Sequence, residues 1–232
     1  MKNIAVIPAR SGSKGLKDKN IKLLNNKPLL AYSVEAALKS NIFDEVMVST
    51  DSTEYAEIAA KYGASVPFLR DPKTSSDTSS SWDTVRETLN KYKTLNKYFY
   101  NIMLLQPTSP LRNSEDIINA YNLMKLKKSQ AVISVTACDY SPLLCNQLND
   151  DLCMNGFINS DNIHRRQDLK QFFRINGAIY LINTDRLFEQ NDNFYDKNCF
   201  AYIMDKERSI DIDDSTDFLI AEFFLDKGIS SL

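Results

Sequence analysis

Short apolar runs alternate with amphipathic helical patterns over the first two-thirds of the chain. The apolar runs predict strands at residues 4–8, 45–49, 65–69, 100–105 and 131–135. Apolar positions with helical spacing predict helices between them, at residues 28–39, 53–62, 80–92 and 114–127. Strands and helices in alternation build βαβ units. The pattern therefore predicts an α/β fold of three layers, in which helices cover both faces of a mainly parallel sheet.

The stretch 138–172 interrupts this pattern, because it is polar, weakly periodic and rich in Asn, Asp and Gln. A long irregular segment inside a domain is a functional lid, an arm that reaches another subunit, or disordered. Regularity returns with a strand at 177–182 and a helix from 215 to about 227. No internal repeat or low-complexity linker divides the chain, so we expect a single domain over residues 1–232 that contains the segment 138–172.

The loop after the first strand carries the strongest chemical signal. It reads Pro8-Ala9-Arg10-Ser11-Gly12-Ser13-Lys14-Gly15-Leu16-Lys17-Asp18-Lys19-Asn20. Glycines and small hydroxyl residues let backbone N–H groups turn toward an anion, and Arg10, Lys14 and Lys19 add positive charge. In sheets of this kind ligands bind at the carboxyl ends of strands, so we expect this loop to hold a triphosphate.

The spacing within this loop excludes two common nucleotide-binding motifs. Gly12 and Gly15 are only three residues apart and neither Ser nor Thr follows Lys14, so the P-loop pattern is absent. The fingerprint G-x-G-x-x-G is absent as well, which argues against a dinucleotide-dependent oxidoreductase.

A second candidate site is the acidic pair Asp211 and Asp213, which alternate about Ile212. On a strand both carboxylates would project from one face. Two such carboxylates hold a hard divalent cation when water and phosphate oxygens complete its coordination.

Composition and charge limit the kinds of partner and the cellular compartment that we expect for this protein. The formal net charge of the 232 residues is −2, which argues against a general nucleic-acid binder. No apolar run approaches the roughly 20 residues that a membrane helix needs. Four cysteines lack C-x-x-C spacing, and the N-terminus has no signal-peptide core, so we expect reduced thiols and a cytoplasmic protein.

The loop after the first strand resembles the nucleotide-binding signature of the acylneuraminate cytidylyltransferases, the family of CMP-sialic acid synthetases. Four further stretches match that family in order and spacing: Ser76-Asp77-Thr78-Ser79-Ser80, Leu105-Gln106-Pro107-Thr108-Ser109-Pro110-Leu111-Arg112, Arg174-Ile175-Asn176-Gly177-Ala178-Ile179-Tyr180 and Ser209-Ile210-Asp211-Ile212-Asp213. The resemblance covers nearly the whole chain. It implies a Rossmann-like nucleotidyltransferase fold and a homodimer with a protruding dimerisation arm, for which 138–172 is the candidate.

The resemblance also implies roles for individual residues. The nucleotide-binding set is Ala9, Arg10, Ser13, Lys14, Lys19, Asn20, Arg70, Ser79 and Ser81. The set around the sugar or the reacting phosphate is Gln106, Arg166, Arg174 and Asn176. The catalytic set is Arg10, Lys19, Arg174 and Asp211, and the Mg²⁺ ligands are Asp211 and Asp213. Arg112 either contacts a ligand or locks its loop.

The reaction that the resemblance implies is transfer of CMP from CTP to the anomeric hydroxyl of a sialic-acid-type nonulosonic acid, with release of pyrophosphate. N-acetylneuraminic acid is the favoured sugar. Several relatives carry a lysine where this chain has Leu144, which leaves legionaminic acid or a related sugar as the alternative. An alternative of another class is an inactive nucleotide-binding regulatory module. Such a module would lack the acidic pair or the loop lysines, and this chain has both.

Overall fold

Six strands form one mixed sheet at the centre of the fold. The computed structural model describes residues 2–12, 16–76, 78–158, 170–189 and 193–228. Its strands in chain order are β1 (Asn3–Pro8), β2 (Leu23–Leu24), β3 (Lys27–Pro28), β4 (Glu45–Ser49), β5 (Asn101–Leu104), β6 (Ala131–Ala137), β7 (Phe173–Asn183) and β8 (Cys199–Ile203). β2 and β3 form a separate antiparallel hairpin.

The strand order of the main sheet is β4-β1-β5-β7-β6-β8. β4, β1 and β5 pair in parallel, as do β6 and β8, whereas β7 runs antiparallel to both of its neighbours. Five strands therefore point one way and β7 points the other. The predicted mainly parallel mixed sheet is confirmed.

Helices pack on both faces of this sheet. They are α1 (Leu29–Ser40), α2 (Thr53–Lys61), α3 (Ser81–Thr94), α4 (Ser114–Lys127) and α5 (Thr184–Glu189). A sixth helix, α6 (Ser215–Asp226), packs against α1 and β2. Alternate residues of a strand point to opposite faces, so Ile7 and Val48 pack in a core with α1, α2 and α4, while Val6 and Met47 pack in a core with α3 and α5. The three-layer arrangement is confirmed.

One predicted strand is not formed, and the strands β2, β3 and β8 and the helix α5 (Thr184–Glu189) were not predicted. Residues 65–69 make a single bridge, from Ser65 to Met47, because Pro67 cannot donate to a strand ladder. Residues 211–213, which would present both carboxylates on one face if they formed a strand, do not pair as a strand. Of the strands that were not predicted, β8 is an edge strand of the main sheet, and none of its five residues is fully buried.

The segment 138–172 is described at residues 138–158 and 170–172. There it forms a 3-10 turn at Pro142–Leu144, and most of its residues are exposed. The extent of the domain and of the arm stay predictions.

The described helices bear on the membrane prediction, and the cysteines on the redox prediction. No helix in the described part of the chain is long and apolar enough to cross a membrane. Cys138, Cys145, Cys153 and Cys199 are all free thiols. The cytoplasmic location stays a prediction.

Candidate active site

The predicted site residues converge at one edge of the sheet. Arg10 follows the carboxyl end of β1, and Gln106 follows that of β5. Because β7 is antiparallel, its amino-terminal part, with Arg174, lies at the same edge. Ligands of open α/β sheets bind at this edge, so the topology places these residues around one crevice.

The predicted phosphate loop, residues 8–20, is anchored to the body of the protein at both ends. At its start, the Ser11 N–H and hydroxyl donate to the two carboxylate oxygens of Asp51, at 2.8 and 3.0 Å. Near its end, the Tyr55 hydroxyl donates to Asp18 at 3.1 Å, and the buried Asn20 side chain donates to the Arg10 carbonyl at 3.0 Å. Burial, together with the Asp18 carboxylate, raises the pKa of Tyr55, which therefore stays a donor.

Ala9 is buried at the root of this loop, where its N–H donates to the Ser49 carbonyl at 2.9 Å. Two other predicted residues of the loop, Ser13 and Lys14, lie outside the described residues. Sequence analysis missed Asp51 and Tyr55, since nothing in their spacing relates them to residues some forty positions earlier.

Arg70 and the loop that follows it lie beside Arg10 at the same crevice. Arg70 is buried and donates through Nη2 to the Thr74 carbonyl, while Arg10 donates to the Ser75 carbonyl at 3.3 Å. Burial lowers the pKa of Arg70, and its Nε finds no hydrogen-bond partner among the described residues. A buried donor without a partner is costly, so this atom is suited to an acceptor on a bound ligand.

The predicted nucleotide residues Ser79 and Ser81 flank the start of α3. The Ser79 hydroxyl donates to the Lys73 carbonyl at 2.8 Å, within the same loop. Ser80 caps α3, of which Ser81 is the first residue. The structure therefore brings Arg10, Arg70 and this serine stretch together around residues 71–80.

Gly177 allows the sugar-binding candidate and the acidic candidate to meet. A Cβ at this position would lie 2.5 Å from Gln106 Oε1 and 3.4 Å from Asp211 Oδ2. The φ angle of Gly177 is +76°, in the left-handed region that favours glycine. The Gln106 amide and the Asp211 carboxylate thus both approach the backbone of β7, and sequence analysis did not identify this role for Gly177.

Arg112 locks the loop that bears Gln106. Its side chain is fully buried and donates to Ala178 O at 3.1 Å, to Ser33 Oγ at 2.6 Å and to Gln106 O at 3.4 Å. Burial lowers the pKa of Arg112 to about 10, opposed by the charge of Asp116. Of the two alternatives open from sequence, the structure supports the locking role.

Asn176, predicted to lie around the sugar or the reacting phosphate, forms its hydrogen bonds within the protein. Its side chain is 1% exposed, and its amide donates to Ser209 Oγ at 2.8 Å. Its carbonyl oxygen accepts from Ser134 Oγ at 2.6 Å, beside the irregularity in the pairing of β6 with β7. With its polar atoms bonded inside the protein, Asn176 positions Gly177 and the segment that leads to Asp211.

The acidic pair is held by a buried residue rather than by a strand. Ile212 is fully buried between α1 and α6, and its N–H donates to the Thr108 carbonyl at 2.8 Å. Lys19 donates to the Ile212 carbonyl at 2.5 Å and lies 3.5 Å from an oxygen of Asp213, whose side chain is 83% exposed. The segment thus presents a half-buried carboxylate and an exposed one on either side of Ile212.

Asp211 has the properties of a cation ligand. Burial raises its pKa, and the charge of Asp213 acts in the same direction, whereas a hydrogen bond from Thr108 and the charges of Lys19 and Arg174 oppose the change. Its Oδ1 is buried and has no partner among the described residues. A divalent cation would satisfy this oxygen and favour the ionised form, so the residues present fit Mg²⁺.

The remaining ligands of such a cation would come from outside the chain. Within the described residues, no cluster of three or more His, Cys, Asp or Glu side chains could hold a metal on its own. Arg174 is exposed at the start of β7 and near enough to lower the pKa of Asp211. Arg166, also predicted to bind the sugar, lies outside the described residues.

Comparisons with known proteins agree with this arrangement. A family model described as cytidylyltransferase matches residues 4–220. The N-acylneuraminate cytidylyltransferase of Escherichia coli is 41% identical over 95% of this chain, which spans about half (51%) of that relative's length. The CMP-N,N'-diacetyllegionaminic acid synthase of Legionella pneumophila is 35% identical and is covered over 100% of both chains.

A solved structure shows the same fold. The structure of CMP:2-keto-3-deoxy-manno-octonic acid synthetase complexed with CTP has a TM-score of 0.74 and 17% sequence identity. The match covers 98% of this chain and 100% of that one. The fold, the ordered motifs and the match over most of its length show that this chain belongs to the cytidylyltransferase family.

Proposed function

We propose that this protein transfers CMP from CTP to the anomeric hydroxyl of a sialic-acid-type nonulosonic acid and releases pyrophosphate. The observation that carries the proposal is the meeting of a cationic loop after β1, the Gln106 amide and the unpartnered Oδ1 of Asp211 at one edge of the sheet. Two relatives described above are named for activities of this kind, one on N-acylneuraminate and the other on N,N'-diacetyllegionaminic acid.

The geometry supports catalysis by positioning and charge. The sugar hydroxyl oxygen attacks the α-phosphorus of CTP and pyrophosphate leaves in line, so little covalent chemistry is required of the protein. Arg10, Lys14 and Lys19 hold the phosphates, and Gln106 with Arg174 orients the sugar. Asp211 and Asp213 would hold Mg²⁺, which supplies charge stabilisation at the α-phosphate when it is bound.

The outer end of the sugar is where the two favoured substrates differ. Leu144, Tyr140 and Phe172 help to line a cavity of about 140 Å³ where the chain leaves β6 and enters β7. This position is at the same sheet edge as Arg10 and Gln106. An apolar residue in such a wall is consistent with either N-acetylneuraminic acid or a deoxygenated, diacylated sugar such as legionaminic acid.

A pyrophosphate-release assay tests the reaction. We expect turnover with CTP and Mg²⁺ and one of the two sugars, and at least about 100-fold lower kcat/KM with ATP, because a pocket shaped for a pyrimidine excludes a purine. Comparable turnover with ATP would contradict the assignment of the base pocket. Nucleotide binding without turnover on any nonulosonic acid would favour the inactive regulatory module.

We further propose a homodimer that uses an apolar stripe on β6, β7 and β8. Val135 pairs with Ile175 on one side and Ile203 on the other, which places the three side chains in one row. Ile175 and Ile203 are 42% and 60% exposed, and neighbouring Phe173 is 47% exposed. The stripe adjoins both ends of the segment 138–172, the candidate arm, and exposed apolar surface of this kind marks an interface.

Light scattering at micromolar concentration tests the dimer. We expect Ile203→Glu to shift the protein from dimer to monomer, because it places a charge in an apolar interface. The matched control is Leu126→Glu on α4, at a side chain that is 78% exposed. A wild-type monomer with full activity would rule the dimer out.

A further inference from the structure

Glu87 on α3 accepts hydrogen bonds from the loop that follows Arg70. One carboxylate oxygen accepts from the Asp71 N–H at 2.8 Å and from Lys91 Nζ at 2.6 Å. The other accepts from the Thr74 hydroxyl. The Glu87 side chain is only 12% exposed, so both oxygens are committed to this loop and to its own helix.

Thr74 extends these contacts to Arg70. Its hydroxyl donates to Glu87, while its carbonyl accepts from Arg70 Nη2. Glu87, Thr74 and Arg70 thus form one continuous chain of hydrogen bonds from α3 to a buried guanidinium. The charge of Glu87 also favours the charged form of Arg70, against the burial that lowers its pKa.

Lys91 shows that Glu87 is not the sole anchor of the loop. Lys91 Nζ also donates to Leu69 O and to Asp71 Oδ1, both at 2.8 Å. The loop therefore keeps a link to α3 when the charge of Glu87 is removed. What a neutral residue at position 87 disturbs is the placement of Thr74 and, through it, of Arg70.

We propose that Glu87 is a positioning residue for base selection, which fixes Arg70 through Thr74 so that the site prefers cytosine to uracil. The inference rests on the proposed function. Cytosine presents acceptors at O2 and N3, whereas uracil presents an N–H donor at N3. A guanidinium has only donors in a rigid planar array, so it distinguishes the two bases only when its orientation is held.

The variants Glu87→Gln, Thr74→Val and their double mutant test this chain. Gln keeps the side-chain volume and one acceptor oxygen. That oxygen cannot accept the three hydrogen bonds that the Glu87 carboxylate accepts from Asp71, Thr74 and Lys91. Val removes the Thr74 hydroxyl and leaves its carbonyl in place. Glu57→Gln, at an exposed glutamate of α2, is the matched control.

Each protein is assayed for kcat/KM with CTP and with UTP at a saturating sugar concentration, and for Tm. We expect Glu87→Gln to lower the CTP/UTP ratio by about tenfold, mainly through a higher KM for CTP, with kcat within about threefold of wild type. Thr74→Val changes the ratio in the same direction, the double mutant is no worse than the more affected single mutant, and Glu57→Gln matches wild type.

Two outcomes would overturn the proposal. An unchanged CTP/UTP ratio in Glu87→Gln with a lowered Tm means that Glu87 only stabilises the fold. Additive effects in the double mutant mean that Glu87 does not act through Thr74. If wild type releases no pyrophosphate, the proposed function fails, and calorimetric Kd values for CTP and UTP on the same variants test Glu87 separately.

Discussion

Asp211→Asn is expected to lower kcat by about a thousandfold while the protein stays folded, because the change removes the charge that would bind the cation and keeps the side-chain volume. The buried Oδ1 without a partner is the atom whose role is lost. Activity is measured by pyrophosphate release at saturating CTP, sugar and Mg²⁺. A near-native kcat for this variant would show that Asp211 is not a cation ligand.

The stability of this variant provides an independent check. Burial raises the pKa of Asp211 in the folded protein, so the folded state binds this proton more tightly than the unfolded state does. Its contribution to the unfolding free energy is therefore largest at low pH and falls as the pH rises from the unfolded pKa through the folded one. In the absence of metal, we expect Asp211→Asn to be no less stable than wild type at neutral pH. Asp213→Asn, at an exposed carboxylate, is the control and should change Tm little.

Gly177→Ala is expected to lower kcat/KM by about 100-fold, because the new Cβ would lie 2.5 Å from Gln106 Oε1 and would displace the amide from the sugar. The positive φ at this position adds a stability cost of about 1–2 kcal/mol. Gly228→Ala is a matched control, since its φ of +68° carries the same backbone cost and its Cβ would meet nothing within 4 Å. Full activity in Gly177→Ala, with both variants equally destabilised, would contradict the close approach of Gln106 to β7.

All helices except the short α5 were predicted within a few residues, because their signals are local. A helix needs apolar side chains three and four residues apart and a start signal, and both lie within one segment. The strand at residues 45–49 was predicted with the bounds that the structure shows, because it is a continuous apolar run bounded by turns. Residues 65–69 are similarly apolar, but they form only a single bridge. Whether they pair along a strand depends on the neighbouring strand and on Pro67, and the apolar pattern contains no information about either.

The candidate site also has features that the sequence predicts and features that only the structure shows. Its motifs are short runs of neighbouring residues, so the sequence by itself determined the α/β class, the predicted phosphate loop, the acidic pair and the family resemblance. Only the tertiary structure decided that Asn176 is an internal support, that Arg112 locks a loop, that Gly177 lets Gln106 and Asp211 approach β7, and that Glu87 accepts hydrogen bonds from the loop after Arg70. The physical reason is that burial and hydrogen bonding depend on side chains far apart in the sequence, such as Asn176 and Ser134, and no local pattern encodes which of them will meet.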